Sequence, residues 1–183
     1  MRRLPLVELE DLPWFPAILR DGGTAFLEFA ARITGHSRGF LVPLERLIDA
    51  TGETRIVDLC SGGGGPAAGL MQEMALRGRA VTVTLTDLYP NLPAFAHLAQ
   101  AHHGRIIGHA DPIDATAVPA TLVGVRTLFN GFHHLRPELA RRVLADAARQ
   151  RQAIGVFEIV SREWPMLLGI LFTPVLVTLG LPF

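Results

Sequence analysis

The segment from Arg55 to Gly69, RIVDLCSGGGGPAAG, decides the fold of this chain. It begins with Ile56 and Val57, β-branched residues that favour a buried strand. Four consecutive glycines follow, and Pro66 then stands at the position of a first helical residue, before good helix formers. A strand, a glycine turn and a helix start in this order predict a cradle that the backbone forms around a ligand. Glycine allows the close approach, and the helix aims its free N–H groups and positive dipole end at what is bound.

Acidic residues lie at the ends of the first two predicted strands. Asp58 precedes the glycines, and Asp87 ends the apolar run at 81–87 one helix later. An acid at the tip of the second strand accepts hydrogen bonds from ribose hydroxyls in nucleotide-binding α/β folds. A carboxylate before the glycines suits a ligand with an amino group better than a pyrophosphate. The turn also lacks the strict G-x-G-x-x-G pattern, because Pro66 and Ala67 hold its later positions.

The remainder of the chain alternates between the two periodicities of strand and helix. Strands are predicted at 55–60, 81–87, 105–108, 123–129 and 153–160, and helices at 66–77, at 91–103 and from Pro137 onwards. An apolar stripe is predicted on the last helix from Leu139, Val143, Leu144, Ala147 and Ala148. The pattern predicts an α/β fold with a doubly wound, mostly parallel sheet whose ligand lies at the carboxyl ends of the strands.

Helical spacing also marks the region before the first strand. Phe26, Phe29, Ala30 and Ile33 follow it, and a second apolar stripe runs from Leu41 to Ile48 before Gly52 stops the helix. We therefore expect residues 1–52 to form an N-terminal helical cover, and residues 53–183 to form the ligand-binding domain.

Composition narrows the class of protein. The chain has 183 residues, 49% of them hydrophobic, which suits one domain with a sizeable core. Seventeen basic and seventeen acidic side chains balance, so there is no sign of a nucleic-acid surface. The single cysteine cannot form an internal disulfide, and we see no signal peptide, so a cytoplasmic location is expected.

VDLCSGGGG resembles the first motif of the class I S-adenosylmethionine-dependent methyltransferases, in which an acidic residue precedes a G-x-G-x-G run. Cys60, Gly62 and Gly64 fall on the three glycine positions. The cysteine is a departure, because a positive φ at that position is strained in a residue with a Cβ. The resemblance extends over Arg55 to Arg162 and implies a Rossmann-like methyltransferase core with S-adenosyl-L-methionine as methyl donor.

The resemblance also implies roles for individual residues. The segment 112–119, PIDATAVP, resembles the third motif of the family and assigns Asp114, with Ala115, to the adenine amine. Asp87 is expected to bind the ribose, and Leu88 to pack on the adenine face. The amino-acid end of the donor is expected at the first motif and at the residue after the fourth strand. The donor-binding set is therefore Asp58, Cys60, Gly62, Gly64, Asp87, Leu88, Asp114, Ala115 and Asn130.

Two histidines follow the fourth strand in the stretch FNGFHHL. His133 and His134 are candidate general bases, because imidazole titrates near neutrality. The alternative is that both histidines cap the next helix or pack in the loop. Methyl transfer often needs little acid–base catalysis, because the sulfonium is already activated and alignment of the nucleophile does most of the work. Glu158 and Arg162, at and beyond the fifth strand, are expected to be structural or to face the substrate. We expect no metal, because no histidine or cysteine spacing is typical of metal ligands.

The end of the chain departs most from the family. Residues 164–183 carry no charge and contain three prolines, and no sequence remains for the two further strands that such methyltransferases usually add. The chain therefore looks truncated at its C-terminus, or completes its sheet in another way. Twenty uncharged residues cannot all face water in a stable monomer. We expect pairing with a second copy, a homo-oligomer, with membrane contact or packing onto the sheet as alternatives.

The leading hypothesis is thus a methyltransferase that uses S-adenosyl-L-methionine and an unidentified acceptor, with a small molecule favoured. An NAD(P)-dependent oxidoreductase is the runner-up from the same fold class. A non-catalytic ligand-binding or membrane-associated module is the third hypothesis, and the incomplete sheet and apolar C-terminus are its support.

Overall fold

The computed structural model describes Trp14, Pro16 and residues 39–158. Within residues 39–158 lie five strands: β1 (Arg55–Asp58), β2 (Thr82–Leu85), β3 (Ile106–Gly108), β4 (Val125–Phe129) and β5 (Ile154–Phe157). The same part of the chain contains the helices α1 (Leu41–Thr51), α2 (Gly65–Leu76), α3 (Leu92–Ala101) and α4 (Pro137–Arg149), and a 3₁₀ helix at Phe132–His134.

The strands form one sheet in the order β3-β2-β1-β4-β5, and every neighbouring pair is parallel. The predicted α/β class and doubly wound sheet are confirmed. The chain moves outward in one direction from β1 through β2 to β3, and then crosses to β4 on the other side of β1. In sheets of this kind the crevice at such a reversal, outside the carboxyl ends of the strands, is where ligands bind.

The sheet separates two apolar layers, because successive side chains of a strand point to opposite faces. One layer packs Ile56, Leu85 and Phe129 of the strands against α1, α2 and α3. The other packs Val57 and Leu128 against Val143 of α4 and against the connection between β3 and β4. That connection, residues 109–124, contains no helix and carries the predicted adenine segment.

Local signals set the helix boundaries. Gly52 ends α1 with a left-handed backbone, as expected, and its N–H donates to the carbonyl oxygen of Ile48. The Asn91 side chain caps α3 by accepting from the N–H of Ala94. Each strand is shorter than predicted at one end or both. β1 begins at Arg55 as predicted but stops at Asp58 rather than residue 60, because the next residues already belong to the glycine turn.

The predicted apolar stripe of α4 is partly wrong. Leu139 and Leu144 are exposed, whereas Ala140, Val143, Asp146 and Ala147 are buried. The buried face of α4 therefore includes Asp146 in place of the two leucines. The Asp146 carboxylate accepts a hydrogen bond from Nη1 of Arg126 at 2.7 Å. Arg126 lies on β4 and is fully buried. Burial alone raises the pKa of Asp146, but hydrogen bonds from Arg126 and Arg149 outweigh it, so the pKa is lowered overall.

Several predictions lie outside the described residues. These are the helical pattern between residues 26 and 33, the role of Arg162, and the apolar segment 164–183. Among residues 39–158, no helix is both long and apolar enough to cross a bilayer.

The pair between Arg126 and Asp146 generates a prediction about stability. Asp146→Asn leaves the Arg126 charge buried without its counter-ion, and should lower the free energy of unfolding by about 3–5 kcal/mol. Arg126→Met combined with Asp146→Leu removes both charges and should restore most of the loss. Urea unfolding of the three proteins measures this. A double variant less stable than Asp146→Asn would contradict the account.

Candidate functional site

The register of the sheet brings the ends of β1 and β2 to one level, and the ends of β4 and β5 to a level two residues further on. Asp58 pairs with Leu85 of β2 on one side and with Thr127 of β4 on the other. Phe129, the last residue of β4, pairs with Phe157, the last residue of β5, and their rings stack 4.9 Å apart. The residues that follow these strands therefore meet at one edge of the sheet.

Ser61 organises the glycine turn. Its N–H donates to the carbonyl oxygen of Thr86 at 3.0 Å, and its Oγ accepts from the N–H of Thr86 at 3.1 Å. Its own carbonyl oxygen accepts from the N–H of Gly64 at 2.7 Å and closes the turn. Nothing in the sequence pattern distinguishes this buried serine, because its role depends on a neighbour 25 residues away.

Gly64 has a packing role at the start of α2. Its φ is +79°, and a Cβ there would lie 2.7 Å from Leu85 Cδ1 and 2.9 Å from Leu98 Cδ1. The missing side chain thus points toward β2 and α3, and its absence lets the helix start close to the sheet. Contact between the Gly64 backbone and a ligand stays a prediction. Gly62 also has a positive φ, of 54°.

Two residues with side chains adopt the left-handed conformation at the reversal of strand order. Cys60 after β1 has φ 55°, and Asn130 after β4 has φ 56°. The strain expected from the cysteine's departure is therefore present. The two loops touch, because a Cβ on Gly131 would lie 3.3 Å from Cys60 Cβ. Strained backbone of this kind clusters at ligand sites.

Asp58 is enclosed between the strands. It is 2% exposed, and its Oδ1 accepts a 2.7 Å hydrogen bond from Oγ1 of Thr127. Burial raises the pKa of Asp58 to about 7, hydrogen bonds from Thr127 and Ser61 oppose the rise, and the nearby charge of Asp87 adds to it. The carboxyl group is held inside the protein, directly under the glycine turn. Its predicted contact with a ligand amino group stays a prediction.

Asp87 joins three parts of the edge. Its Oδ2 accepts from the N–H of Gly62 at 2.9 Å, and its Oδ1 accepts from the N–H of Tyr89 at 2.9 Å. Its carbonyl oxygen accepts from the N–H of Ile113 at 2.8 Å. The predicted ribose acid is therefore bound to the glycine turn on one side and to the predicted adenine segment on the other.

The adenine segment is a tight turn. Oδ1 of Asp114 accepts from the N–H of Thr116 at 2.7 Å, so this exposed aspartate also has the turn-forming role that aspartates commonly have. Ala115 is buried, and Leu88 is 48% exposed beside Asp87. The structure brings these residues together, and their contact with adenine stays a prediction.

His133 and Glu158 form a pair at the ends of β4 and β5. Nδ1 of His133 lies 2.6 Å from Oε2 of Glu158. Oε1 of the same carboxylate accepts from the N–H of Phe132 at 2.8 Å and from that of His133 at 3.3 Å. The His134 ring centroid lies 4.2 Å from that of His133. Glu158 thus has the structural role expected for it, and also contacts a predicted catalytic residue.

Sequence reasoning missed this pairing, because the two residues are 25 positions apart. An available signal was that each follows the end of a predicted strand. Within residues 39–158, no three His, Cys, Asp or Glu side chains are grouped as ligands for a metal ion.

No model of a known protein family matches the sequence, and no curated protein is similar to it. Two solved structures from Burkholderia thailandensis resemble the fold. One is an O-methyltransferase family protein, with 18% sequence identity, a TM-score of 0.42 and a match over 63% of this chain and 36% of its own. The other is inferred to be a methyl transferase and contains S-adenosyl-homocysteine. Its sequence identity is 21%, its TM-score is 0.42, and the match covers 53% of this chain and 25% of the other chain. This chain therefore spans about a third of the length of the first protein and a quarter of the length of the second.

The buried carboxyl group of Asp58 generates a prediction about pH. Its pKa in the folded protein, about 7, exceeds the ordinary value of 3.8, so between these values the folded state binds more protons than the unfolded state. The contribution of Asp58 to the free energy of unfolding should fall as pH rises through this window. One proton gives a slope approaching about 1.4 kcal/mol per pH unit. Urea unfolding at a series of pH values measures the slope.

Asp58→Asn should remove that slope, so the variant should gain stability relative to the unmodified protein as pH rises from about 4 to about 7. Asp49→Asn is the matched control. The hydrogen bond from Arg79 lowers the pKa of Asp49 below its ordinary value of 3.8. Asp49 therefore changes the pH dependence of stability only at pH values below this window. Parallel stability curves for Asp58→Asn and the unmodified protein would contradict the assignment.

Proposed function

We propose that this protein transfers a methyl group from S-adenosyl-L-methionine to an acceptor molecule. The observation that carries the proposal is the pair of carboxyl groups at the glycine turn, Asp58 beneath it and Asp87 on the Gly62 N–H. Within residues 39–158 neither group is ion-paired. An acidic turn suits a ligand with a sulfonium and an ammonium group.

The same observation weighs against the NAD(P)-dependent alternative. A dinucleotide site offers the N–H groups of the glycine turn and helix start to a pyrophosphate. Here the N–H of Gly62 donates to the carboxylate of Asp87, and a pyrophosphate at that position would meet a like charge. No specific observation favours the non-catalytic module.

The described residues fit the parts of the donor. Asp87 accepts two backbone hydrogen bonds, and a carboxylate has about four lone-pair positions, so two further donors such as ribose hydroxyls can bind it. We assign the adenine to Asp114 and Ala115, with Leu88 against its face. We assign the amino-acid end to Asp58, Asn130 and the turn from Cys60 to Gly64.

Methyl transfer depends chiefly on alignment, because the sulfonium is already an activated methyl donor. The hydrogen-bonded glycine turn and the left-handed residues Cys60 and Asn130 lie at the edge where we propose that donor and acceptor are aligned. His133 and His134 lie on the loop that follows β4 and are proposed to serve the acceptor. We further propose that the acceptor is a small molecule and that the protein is a homo-oligomer.

The assignment of Asp87 to the ribose generates a prediction about affinity. Asp87→Ala should weaken binding of S-adenosylhomocysteine by about 1.5–3 kcal/mol, the range for a hydrogen bond to a charged group. Asp87→Asn keeps the shape of the side chain and one acceptor oxygen, so it removes the charge but keeps part of the hydrogen bonding to the glycine turn. The loss of affinity should be smaller for this variant than for Asp87→Ala. Isothermal titration calorimetry measures both.

Glu138→Gln is the matched control, because this exposed residue on α4 loses the same charge away from the site. Its affinity should equal that of the unmodified protein. Unchanged affinity in folded Asp87→Ala would overturn the ribose assignment. Binding of NAD+ in place of S-adenosylhomocysteine would overturn the proposed function.

A further inference from the structure

We infer that the C-terminal end of α4 sets the base specificity of the donor site, because Asp146 and Gln150 hold the adenine segment and so position the carboxylate of Asp114. The inference rests on the proposed function and on the assignment of the adenine to Asp114. It adds two positioning residues that lie outside the motifs of the chain, and it names the group that they serve, the amino group of the base.

The backbone of Val118, in the adenine segment, is held at both of its polar groups. Its N–H donates to Oδ2 of Asp146 at 3.3 Å, and its carbonyl oxygen accepts from Nε2 of Gln150 at 2.7 Å. Nε2 of Gln150 also donates to Oδ2 of Asp146 at 3.0 Å. Both partners of this amide group are acceptors, so its nitrogen must face them. Val118 is buried, and the two side chains therefore satisfy backbone groups that are shielded from water.

The carboxylate of Asp146 is itself fixed. Nη1 of Arg126 donates to Oδ2 at 2.7 Å, and Nη2 of Arg149 donates to Oδ1 at 2.9 Å. Nε and Nη2 of Arg126 have no hydrogen-bond partner among residues 39–158, and a buried ion pair adds little net stability. The pair of Arg126 and Asp146 therefore serves chiefly to fix the position of Asp146, and through it that of Val118, relative to the sheet.

A short turn connects this anchor to Asp114. The N–H of Ala117 donates to the carbonyl oxygen of Asp114 at 2.9 Å, and the N–H of Thr116 donates to its Oδ1 at 2.7 Å. On the other side of the turn, the N–H of Ile113 donates to the carbonyl oxygen of Asp87 at 2.8 Å. The carboxylate of Asp114 thus lies between one anchor just beyond β2 and a second anchor on α4.

A carboxylate that cannot shift distinguishes purine bases by their hydrogen-bonding groups. In contacts between described residues, the side chain of Asp114 uses only Oδ1, so Oδ2 is available to a ligand. A carboxylate accepts hydrogen bonds, and the amino group of adenine donates them. Hypoxanthine has an oxygen in place of that amino group, and an N–H on the neighbouring ring nitrogen. A carboxylate free to move could accept from that N–H, whereas a fixed one meets the oxygen. Base specificity therefore depends on the anchors that fix Asp114.

The test compares two ligands that differ only in the base, S-adenosylhomocysteine and S-inosylhomocysteine, which carries hypoxanthine. Calorimetry measures both affinities for the unmodified protein, Gln150→Met and Gln150→Asn. Methionine has a similar length but cannot donate, and asparagine keeps the amide group but is too short to reach Val118. Gln152→Met is the matched control, because Oε1 of Gln152 accepts from the N–H of Gly124 in the same connection, outside the adenine segment.

The unmodified protein should bind S-adenosylhomocysteine about tenfold or more tightly than S-inosylhomocysteine, the ratio expected for a hydrogen bond to a charged group. Both Gln150 variants should lower this ratio by about fivefold or more, chiefly by weakening the binding of S-adenosylhomocysteine. Gln152→Met should leave the ratio unchanged. Asp114→Ala should remove the preference, and Gln150→Met added to it should change the ratio no further, because both residues act on the same contact.

An unchanged ratio in the Gln150 variants, or equal losses of affinity for both ligands, would mean that Gln150 only supports the fold, and would overturn the inference. Failure of both variants to fold would have the same meaning. A ratio lowered equally by Gln152→Met, or lowered further when Gln150→Met is added to Asp114→Ala, would also contradict it. Equal affinities of the unmodified protein for the two ligands would refute the adenine assignment as well. An unmodified protein that binds neither ligand would instead overturn the proposed function.

Discussion

Parallel pairing of β1 with β2 on one side and β4 on the other is the constraint on which the candidate site depends. The register aligns Asp58 with Leu85, the last residue of β2, and with Thr127, two residues before the end of β4, so the three chains leave the sheet at the same edge. The glycine turn can then contact Asp87, and the loop at Gly131 can pack on Cys60. A shift of one residue in either pair would turn Asp58 to the other face and remove these contacts.

The buried position of Asp58 lowers the stability of the fold in order to place a carboxyl group at the candidate site. A carboxyl group that is 2% exposed destabilises the folded protein when it is charged, and hydrogen bonds from Thr127 and Ser61 offset part of this cost. An apolar residue at this position would serve the core better. The left-handed backbones of Cys60 and Asn130 cost stability at the same edge. His103 and Arg151 are also left-handed and lie away from this edge, so the enclosed carboxyl group of Asp58 is the clearer sign of a site kept for binding rather than for folding.

Much of the architecture could be predicted from the sequence, because the signals are local. The β-branched start of β1, the glycines and Pro66 define strand, turn and helix within fifteen residues, and Gly52 ends α1 as expected. Asp87 could be chosen because it follows a strand. The predicted stripe of α4 failed, since the buried charge of Arg126 draws Asp146 inward and leaves Leu144 exposed. No periodicity contains that information, because it depends on which strand the helix covers.

The contacts across the candidate site depend on tertiary structure in the same way. Glu158 meets His133 because β4 and β5 pair in register, and Ser61 meets Thr86 because β1 and β2 do. Gly64 illustrates a related difficulty: its motif predicts ligand contact, but the atoms nearest its missing Cβ belong to Leu85 and Leu98. A glycine in a motif can serve packing, binding or both, and the sequence does not distinguish them.

The central claim is that a donor with the chemistry of S-adenosyl-L-methionine binds at the carboxyl edge between β1 and β4. Titration of the isotopically labelled protein with S-adenosylhomocysteine, followed by amide nuclear magnetic resonance, tests it most directly. The largest shifts should fall on Gly62, Tyr89, Ala115 and Asn130, which surround Asp87 and the strand reversal. Shifts confined to the apolar groove between α3 and β3, lined by Phe95 and Ile107, or no shifts at saturating ligand, would contradict the account.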